Sequence, residues 1–143
     1  MKKRKTIMRA VAQARRAWQN HVREITLAAG IPDSYRMVLM FLNRHPGSGQ
    51  RSIAEFAGVT TSAINQAVKS MLEEGFLRKE VDPSDKRNSQ LYLTEKGQDA
   101  AERLIGRLDA SDDAITAMLG AEREAELIAL LDELADFVRK DLH

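Results

Sequence analysis

Residues 53–69 read IAEFAGVTTSAINQAVK, and this stretch decides the fold of the chain. It predicts a short helix that ends at Gly58, because glycine readily adopts the left-handed backbone of a tight turn. A second helix is predicted to begin directly afterwards, since the hydroxyl group of Thr60 or Thr61 can cap its first free N–H groups. Two helices joined by so short a glycine turn are typical of a helix-turn-helix unit.

The second helix of this unit is predicted to have one buried face and one polar face. Val59 and Ile64 are expected to fill the core beneath it, and Val68 and Met71 continue that inner face at helical spacing. The outward positions share hydrogen-bonding side chains and are Thr60, Thr61, Ser62, Asn65, Gln66 and Lys69.

These outward side chains suit the major groove of DNA. Asparagine and glutamine can make two hydrogen bonds to the exposed edge of adenine, and serine or threonine can reach bases or phosphates. A DNA-reading helix docks through its N-terminal half, which is where these residues lie. We therefore predict that the six residues contact DNA. The alternative, an ordinary solvated helix face, fits each residue taken alone equally well.

A polar segment that reads DPSDKRN, residues 82–88, joins two short predicted strands. It is longer than a tight hairpin requires, so it is expected to project as a wing. Arg87 lies near the tip, where a guanidinium group can enter a narrow minor groove. Asp85 is predicted to pair with Arg87 and fix its direction, and Lys86 to contact phosphate.

Four helices of the N-terminal part are predicted from apolar periodicity, over residues of about 6–28, 33–45, 50–57 and 61–74. Two further helices follow the wing, with a break at Gly120. Ser48 and Arg51, at the start of the third helix, are predicted to contact DNA phosphates.

The first helix and the last two carry apolar stripes that must be buried somewhere. Because the middle of the chain offers too little surface for all three, we predict a homodimer in which these helices interleave; the alternative is a monomer whose helices fold back. The expected fold is mainly α with a small two- to three-stranded β wing. Residues 1–143 form one domain, with a winged helix-turn-helix lobe at 33–97 and dimerisation helices at 6–30 and 98–143.

Charge is distributed unevenly although the net charge is only +1. Residues 1–60 hold 11 basic and 3 acidic side chains, net +8, whereas residues 98–143 hold 5 and 12, net −7. This asymmetry favours a polyanionic partner at one end, and opposite charges kept for solubility are the alternative.

Several classes of function are not indicated. The chain has no cysteine, and its three histidines have no ligand spacing, so no metal or cofactor site is predicted. No nucleophile and base pair or phosphate-binding glycine loop is visible, so no catalytic site or enzyme is predicted. No secretory signal or membrane span is indicated, and a cytoplasmic protein is expected.

The motifs LEEGFL (72–77), DKR (85–87) and LYLTEKG (91–97) give the chain a resemblance to the MarR family of bacterial winged-helix transcriptional regulators. The resemblance implies a triangular homodimer on a pseudopalindromic duplex, with the fourth helix in the major groove and the wing in the adjacent minor groove. Many members are repressors released by small aromatic or anionic ligands.

The resemblance also implies an effector site in the cleft between the dimerisation helices and the DNA-binding lobe. Side chains of the first two helices could line it, and an aromatic ring, an imidazole and a guanidinium group would suit an aromatic carboxylate. The candidate residues are Arg15, Trp18, His21, Met37, Met40 and Phe41. The alternative is dimer core for the tryptophan and methionines and a solvated surface for Arg15.

The sequence thus predicts a sequence-specific, ligand-responsive repressor that binds double-stranded DNA as a homodimer. The alternative from another class is a winged-helix module that binds proteins and never meets DNA.

Overall fold

The structure is a computed structural model that describes residues 4–142, except for the side chains of residues 86–88. It confirms the mainly α fold with a small β wing, here of two strands. The chain divides into two compact units, one up to Gly106 and one from Arg107. The elements are α1 (Ile7–Ala28), α2 (Asp33–Arg44), α3 (Gln50–Ala57), α4 (Thr61–Glu73), β1 (Leu77–Asp82), β2 (Asp85–Leu93), α5 (Glu95–Leu119) and α6 (Ala121–Asp141).

The first unit has a continuous apolar core. Each helix from α2 to α4 turns one face inward, and the start of α5 adds Ala100, Ala101 and Leu104. Helix α1 contributes Val22 and Thr26, whose hydroxyl donates a hydrogen bond to the Val22 carbonyl at 2.7 Å. The largest fully buried side chains of this unit are Leu39, Leu42, Ile53, Met71, Leu91 and Leu104.

The turn between α3 and α4 follows the sequence prediction in its backbone but not in one side chain. Gly58 has φ 66° and ψ 31°, the left-handed conformation expected there. Thr60 is the cap, because its hydroxyl oxygen accepts the Ala63 N–H at 3.2 Å. Ile64 is buried as predicted, but Val59 is 48% exposed, so its predicted core position is wrong. The turn points the Val59 side chain into a surface cleft beside α4.

The hairpin β1–β2 is antiparallel, with Leu77 opposite Leu93 and Lys79 opposite Leu91. The long connection predicted over residues 82–88 is wrong: Pro83 and Ser84 form a two-residue turn, and β2 begins at Asp85.

The carboxylate of Asp82 closes this turn. It accepts hydrogen bonds from the hydroxyl group of Ser84 at 2.7 Å and from its N–H at 2.9 Å. The same two bonds lower the pKa of Asp82, since they stabilise its charged form. Pro83 lies between Asp82 and Ser84, and its ring fixes φ at a value that suits a turn. The local sequence therefore favours a short turn.

The segment that follows the hairpin closes the C-terminal end of α4. Thr94 donates its hydroxyl hydrogen to the Gly75 carbonyl at 2.5 Å, and Lys96 Nζ donates to the Glu74 carbonyl at 2.8 Å. These donors satisfy carbonyl groups that a helix end leaves without partners. The end of α4 is therefore fixed by residues twenty positions further along the chain.

The second unit contains the rest of α5 and all of α6. The break at Gly120 is confirmed, and Thr116 on one side of it donates to Glu124 Oε1 on the other at 2.8 Å. No residue of α6 is buried. Five of its large apolar side chains are more than 40% exposed, namely Leu127, Ile128, Leu130, Leu131 and Phe137.

Within residues 4–142 no single helix is long and apolar enough to cross a membrane. Helices α1 and α2 meet that criterion only as a pair bent by 92°. Helix α2 places Val38, Leu39 and Leu42 in the core of the first unit.

Candidate nucleic-acid interface

Helix α4 presents the polar face that the sequence predicts. Its inward residues Ile64, Ala67, Val68 and Met71 are buried. Its candidate DNA contacts are all exposed, and they are Thr60, Thr61, Ser62, Asn65, Gln66 and Lys69. The helix is thus anchored on one side and open on the other, as a helix that enters a groove must be.

The N-terminal end of α4 also offers a field that attracts phosphate. The first N–H groups of a helix point outward and carry partial positive charge. Thr60 uses its oxygen on one of these groups, that of Ala63. Thr60 therefore first fixes where α4 begins, and Thr61 and Ser62 follow it on the exposed surface.

The two predicted phosphate contacts lie in the loop before α3 and in the first turn of α3. Ser48 is half-buried, and its hydroxyl donates to the His45 carbonyl at 2.7 Å. The Arg51 side chain is 89% exposed and lies 3.4 Å from a carboxylate oxygen of Glu55. Exposed ion pairs of this kind contribute little to stability, so a phosphate can replace Glu55 as the partner of Arg51 at small cost.

The wing residues lie at the start of β2. Asp85 is half-buried and follows the Pro83–Ser84 turn directly. The side chains of Lys86 and Arg87 lie outside the described part of the structure, so the predicted pairing of Asp85 with Arg87 stays a prediction.

A cleft of about 450 Å³ opens beside the start of α4. Three of the predicted effector residues line it, namely Arg15, Trp18 and Met37. His21 instead lies against Trp18, with ring centroids 5.7 Å apart, and is not among the residues of the cleft wall. Met40 and Phe41 are also absent from that wall; the Phe41 ring packs against Phe56 at 5.0 Å.

The cleft combines an apolar wall with two guanidinium groups. Trp18, Val59 and Ile64 supply the apolar part, and Arg15 and Arg36 supply positive charge. An arrangement of apolar surface with a few polar groups is typical of small-molecule sites.

Sequence reasoning missed most of the polar cleft wall. Arg36 is the clearest case, because it lines the cleft and its Nε lies 3.4 Å from Oδ1 of Asp33, another residue of the wall. The spacing of three residues between Asp33 and Arg36 on one predicted helix was the available signal. The other residues missed are Gln19, Val22, Asp33, Ser34, Ala57, Val59, Ala63 and Ile64.

Among the described residues no three histidine, aspartate or glutamate side chains come together as a metal site would require.

Comparison with known proteins identifies the type of protein that this chain resembles. The model of the MarR family matches residues 29–88. The HTH-type transcriptional repressor Rv2887 of Mycobacterium tuberculosis is 27% identical over 96 residues, which cover 67% of this chain and 69% of the repressor.

Two solved structures are similar over most of their length. The PcaV transcriptional regulator of Streptomyces coelicolor, solved with its natural ligand, is 31% identical to this chain, with a TM-score of 0.67. The match covers 87% of this chain and 89% of the PcaV chain. NadR in complex with 4-hydroxyphenylacetate is 26% identical with a TM-score of 0.74 and covers 94% and 96%. The relatives are transcriptional regulators, which confirms the prediction that the chain is not an enzyme.

Proposed function

Because the chain belongs to the MarR family of DNA-binding transcriptional regulators, we propose that it is a repressor that binds a pseudopalindromic operator as a homodimer and is released by a small aromatic anion. The observation that carries this proposal is the two-sided character of α4. Six hydrogen-bonding residues are exposed on one side, and the opposite side is apolar and buried. The cytoplasmic location and the single-domain organisation predicted from the sequence remain part of the proposal.

The DNA contacts divide into base readers and phosphate contacts. Asn65 and Gln66 are the candidate base readers, since their amide groups can make paired hydrogen bonds to adenine. Ser48, Arg51 and Lys69 are assigned to phosphates, which position a protein without reading sequence. Arg87, with Lys86 beside it, is assigned to the minor groove.

The dimer is supported by the exposed apolar residues of α6. Five large apolar side chains on one helix leave a surface that water does not favour. A second copy of the chain offers the same surface, so a two-fold contact would bury both. Two lobes related by that axis would present two α4 helices to one duplex, which accounts for a pseudopalindromic site.

The effector is proposed to be an aromatic carboxylate bound in the cleft. Trp18 offers an aromatic face, and Arg15 and Arg36 offer cationic partners for a carboxylate. The cleft wall includes Ala63 and Ile64 of α4, so an occupant would contact the reading helix itself. NadR was solved with 4-hydroxyphenylacetate, a ligand of this chemical class.

The DNA proposal is tested by selecting bound duplexes from random sequence and measuring their affinity at several salt concentrations. We expect a selected sequence with two related half-sites and an affinity that falls steeply with salt, because basic side chains displace condensed counterions. Asn65→Ala should reduce binding to the selected duplex by about 1–3 kcal/mol and leave binding to random duplex nearly unchanged.

Asn20→Ala is the matched control, since Asn20 is an exposed amide on α1 outside the proposed interface. Absence of any salt-dependent binding would contradict the proposal and favour a winged-helix module that binds proteins.

The effector proposal is tested by adding 4-hydroxyphenylacetate to the protein and its selected duplex. We expect ligand binding, measured by calorimetry, to weaken the DNA complex. Arg36→Gln should weaken the ligand affinity about tenfold, as loss of a charged hydrogen bond does. Arg16→Gln, an exposed arginine of α1 outside the cleft wall, should leave it unchanged. Equal ligand affinity in both variants would remove the cleft as the site.

A further inference from the structure

The wing is joined to the rest of the first unit along one edge of β2. Leu91 donates its N–H to the Ser48 carbonyl at 3.1 Å, and its own carbonyl accepts the Gly47 N–H at 2.8 Å. Both backbone groups of Leu91 therefore bond to the α2–α3 loop, residues 45–49. The loop is thus hydrogen-bonded to β2 without forming a strand of its own, and the sheet has two strands.

The next residue, Tyr92, braces the hairpin against the same loop. A Cβ atom placed on Gly47 would lie 3.0 Å from the Tyr92 hydroxyl oxygen and 3.3 Å from Cζ, so the ring rests directly on the glycine backbone. Gly47 also has φ +85°, a conformation that other residues rarely adopt. The close approach of the ring and the backbone of the loop thus depend on the same glycine.

A second element of the brace comes from β1. Arg78 lies opposite Tyr92 in the hairpin, and its guanidinium carbon is 4.3 Å from the centre of the ring. Arg78 is in turn ion-paired with Glu80, and the Tyr92 hydroxyl lies 3.3 Å from Gln90 Oε1. One ring therefore contacts side chains from both strands and the backbone of the loop.

Toward the turn, the described side chains of β1 are mostly exposed. In β1 only Leu77, at the base, is buried, and Val81 near the turn is 54% exposed. A two-stranded hairpin is marginally stable by itself. Its angle is consequently set at the base, where Leu91 and Tyr92 meet the loop.

We propose that Tyr92 is a positioning residue for DNA binding: by resting on Gly47 beneath Arg78, it fixes the angle of the wing relative to the α2–α3 loop. The loop leads into α3 with Ser48 and Arg51, so the same contact fixes the spacing between these phosphate contacts and the wing tip. Tyr92 acts through the wing and does not itself touch DNA. This inference rests on the proposed function, since it presupposes an operator complex.

The test is a double-mutant cycle on the affinity for the selected duplex. Tyr92→Ala removes the ring, and Lys86→Ala with Arg87→Ala removes the predicted wing contacts. We expect Tyr92→Ala to weaken binding about tenfold in the full-length protein, in the range typical of residues that act as a unit. In the variant without wing contacts, the same substitution should change the affinity by less than about twofold, because moving the wing then removes no further contact with DNA.

Three further variants complete the experiment. Tyr92→Leu keeps apolar volume but removes the flat ring. It should show the same loss of affinity as is expected for Tyr92→Ala, and it takes the place of that variant if Tyr92→Ala does not fold. Tyr92→Phe keeps the ring on Gly47 and should bind as the unchanged protein does. Val81→Thr is the matched control for a strand substitution away from the brace, and should leave the affinity unchanged.

Two outcomes overturn the inference while leaving the proposed function intact. One is normal binding by Tyr92→Ala and Tyr92→Leu, and the other is an equal loss of affinity with and without the wing contacts. If the unchanged protein binds no duplex, or if removal of Lys86 and Arg87 side chains has no effect, the proposed function fails in its DNA or its wing part, and the inference fails with it.

Discussion

The two units of this chain differ in how much of their apolar surface is buried. The first buries Leu39, Leu42 and Ile53 to less than 2% exposure. In the second, no residue of α6 is buried, and Leu131 is 42% exposed. Both units contain amphipathic helices, so the difference does not come from composition alone. It indicates that α2 to α4 of the first unit are packed within a single chain, whereas the apolar residues of α6, like Ile7, Met8 and Leu27 of α1, remain exposed and would need a partner to be buried.

This difference assigns separate roles to the two units. The completed lobe can hold α4 rigidly, because its inner face belongs to a packed core. In the proposed dimer, α6 of the second unit would supply the surface for a second copy. Substitutions in the two units should therefore change different quantities, namely the free energy of unfolding in one and self-association in the other.

The largest expected effect is in the core of the first unit. Leu39→Ala should lower the free energy of unfolding by about 2–5 kcal/mol, because it leaves a cavity in a fully buried site. Denaturant titration followed by circular dichroism measures this. Val81→Ala is the control, since Val81 lies in β1 outside the predicted dimerisation helices and is 54% exposed, and it should cost far less. Equal losses would contradict the burial pattern.

A smaller effect is expected in α6. Leu131→Ser should weaken self-association by about 1–2 kcal/mol, as truncation of an interface residue does. Sedimentation equilibrium over a range of protein concentrations measures it. The control is Ala129→Ser, which adds a hydroxyl group to an exposed position without removing apolar volume. If Leu131→Ser associates as the unchanged protein does, α6 is not the interface.

Tyr35→Phe should have a still smaller effect, about 1 kcal/mol at neutral pH, because it removes one hydrogen bond, from the Tyr35 hydroxyl to Glu74 Oε1 at 2.9 Å. Urea titration measures this change.

The same hydroxyl predicts a dependence on pH. Burial first, and then the bond to Glu74, raises the pKa of Tyr35 above its ordinary value of 10.0. The unfolded chain thus loses this proton at a lower pH than the folded chain. The contribution of Tyr35 is complete below pH 10 and is lost as pH rises above it. Tyr35→Phe should make the decline in stability above pH 10 less steep; an unchanged decline would show that the hydroxyl does not stay protonated in the folded state.

The smallest effect on stability is expected at Arg51. Because its side chain is 89% exposed, Arg51→Ala should change the free energy of unfolding by less than about 0.5 kcal/mol. It should nevertheless weaken binding to selected and random duplexes alike and reduce the salt slope by about 1. Filter binding at several salt concentrations measures both. Loss of affinity for the selected duplex alone would assign Arg51 to base reading instead.

The helices were predictable from sequence because their signals are local. Apolar residues at helical spacing gave the bounds of α1 to α4 to within one or two residues, and Gly58 and Gly120 marked real breaks. The choice between Thr60 and Thr61 as cap needed the structure, since both have the same hydroxyl group.

What the sequence could not predict depends on contacts between distant residues. Val59 is apolar but faces the cleft, because the direction of a turn residue depends on the elements around it. The turn at Pro83 and Ser84 is a different case: its hydrogen bonds to Asp82 are local, but the continuous polar run over residues 82–88 conceals where β2 begins. The contact of Tyr92 with Gly47 joins residues 45 positions apart and has no local signal.

The central claim is that two copies of this chain together read one duplex. Sedimentation velocity of the protein with its selected duplex at low salt, with the DNA labelled separately, measures the number of chains in each complex. The account predicts two chains on each duplex and a dimer in the absence of DNA. A stable monomer, one chain on each duplex, or no complex with any duplex would contradict it.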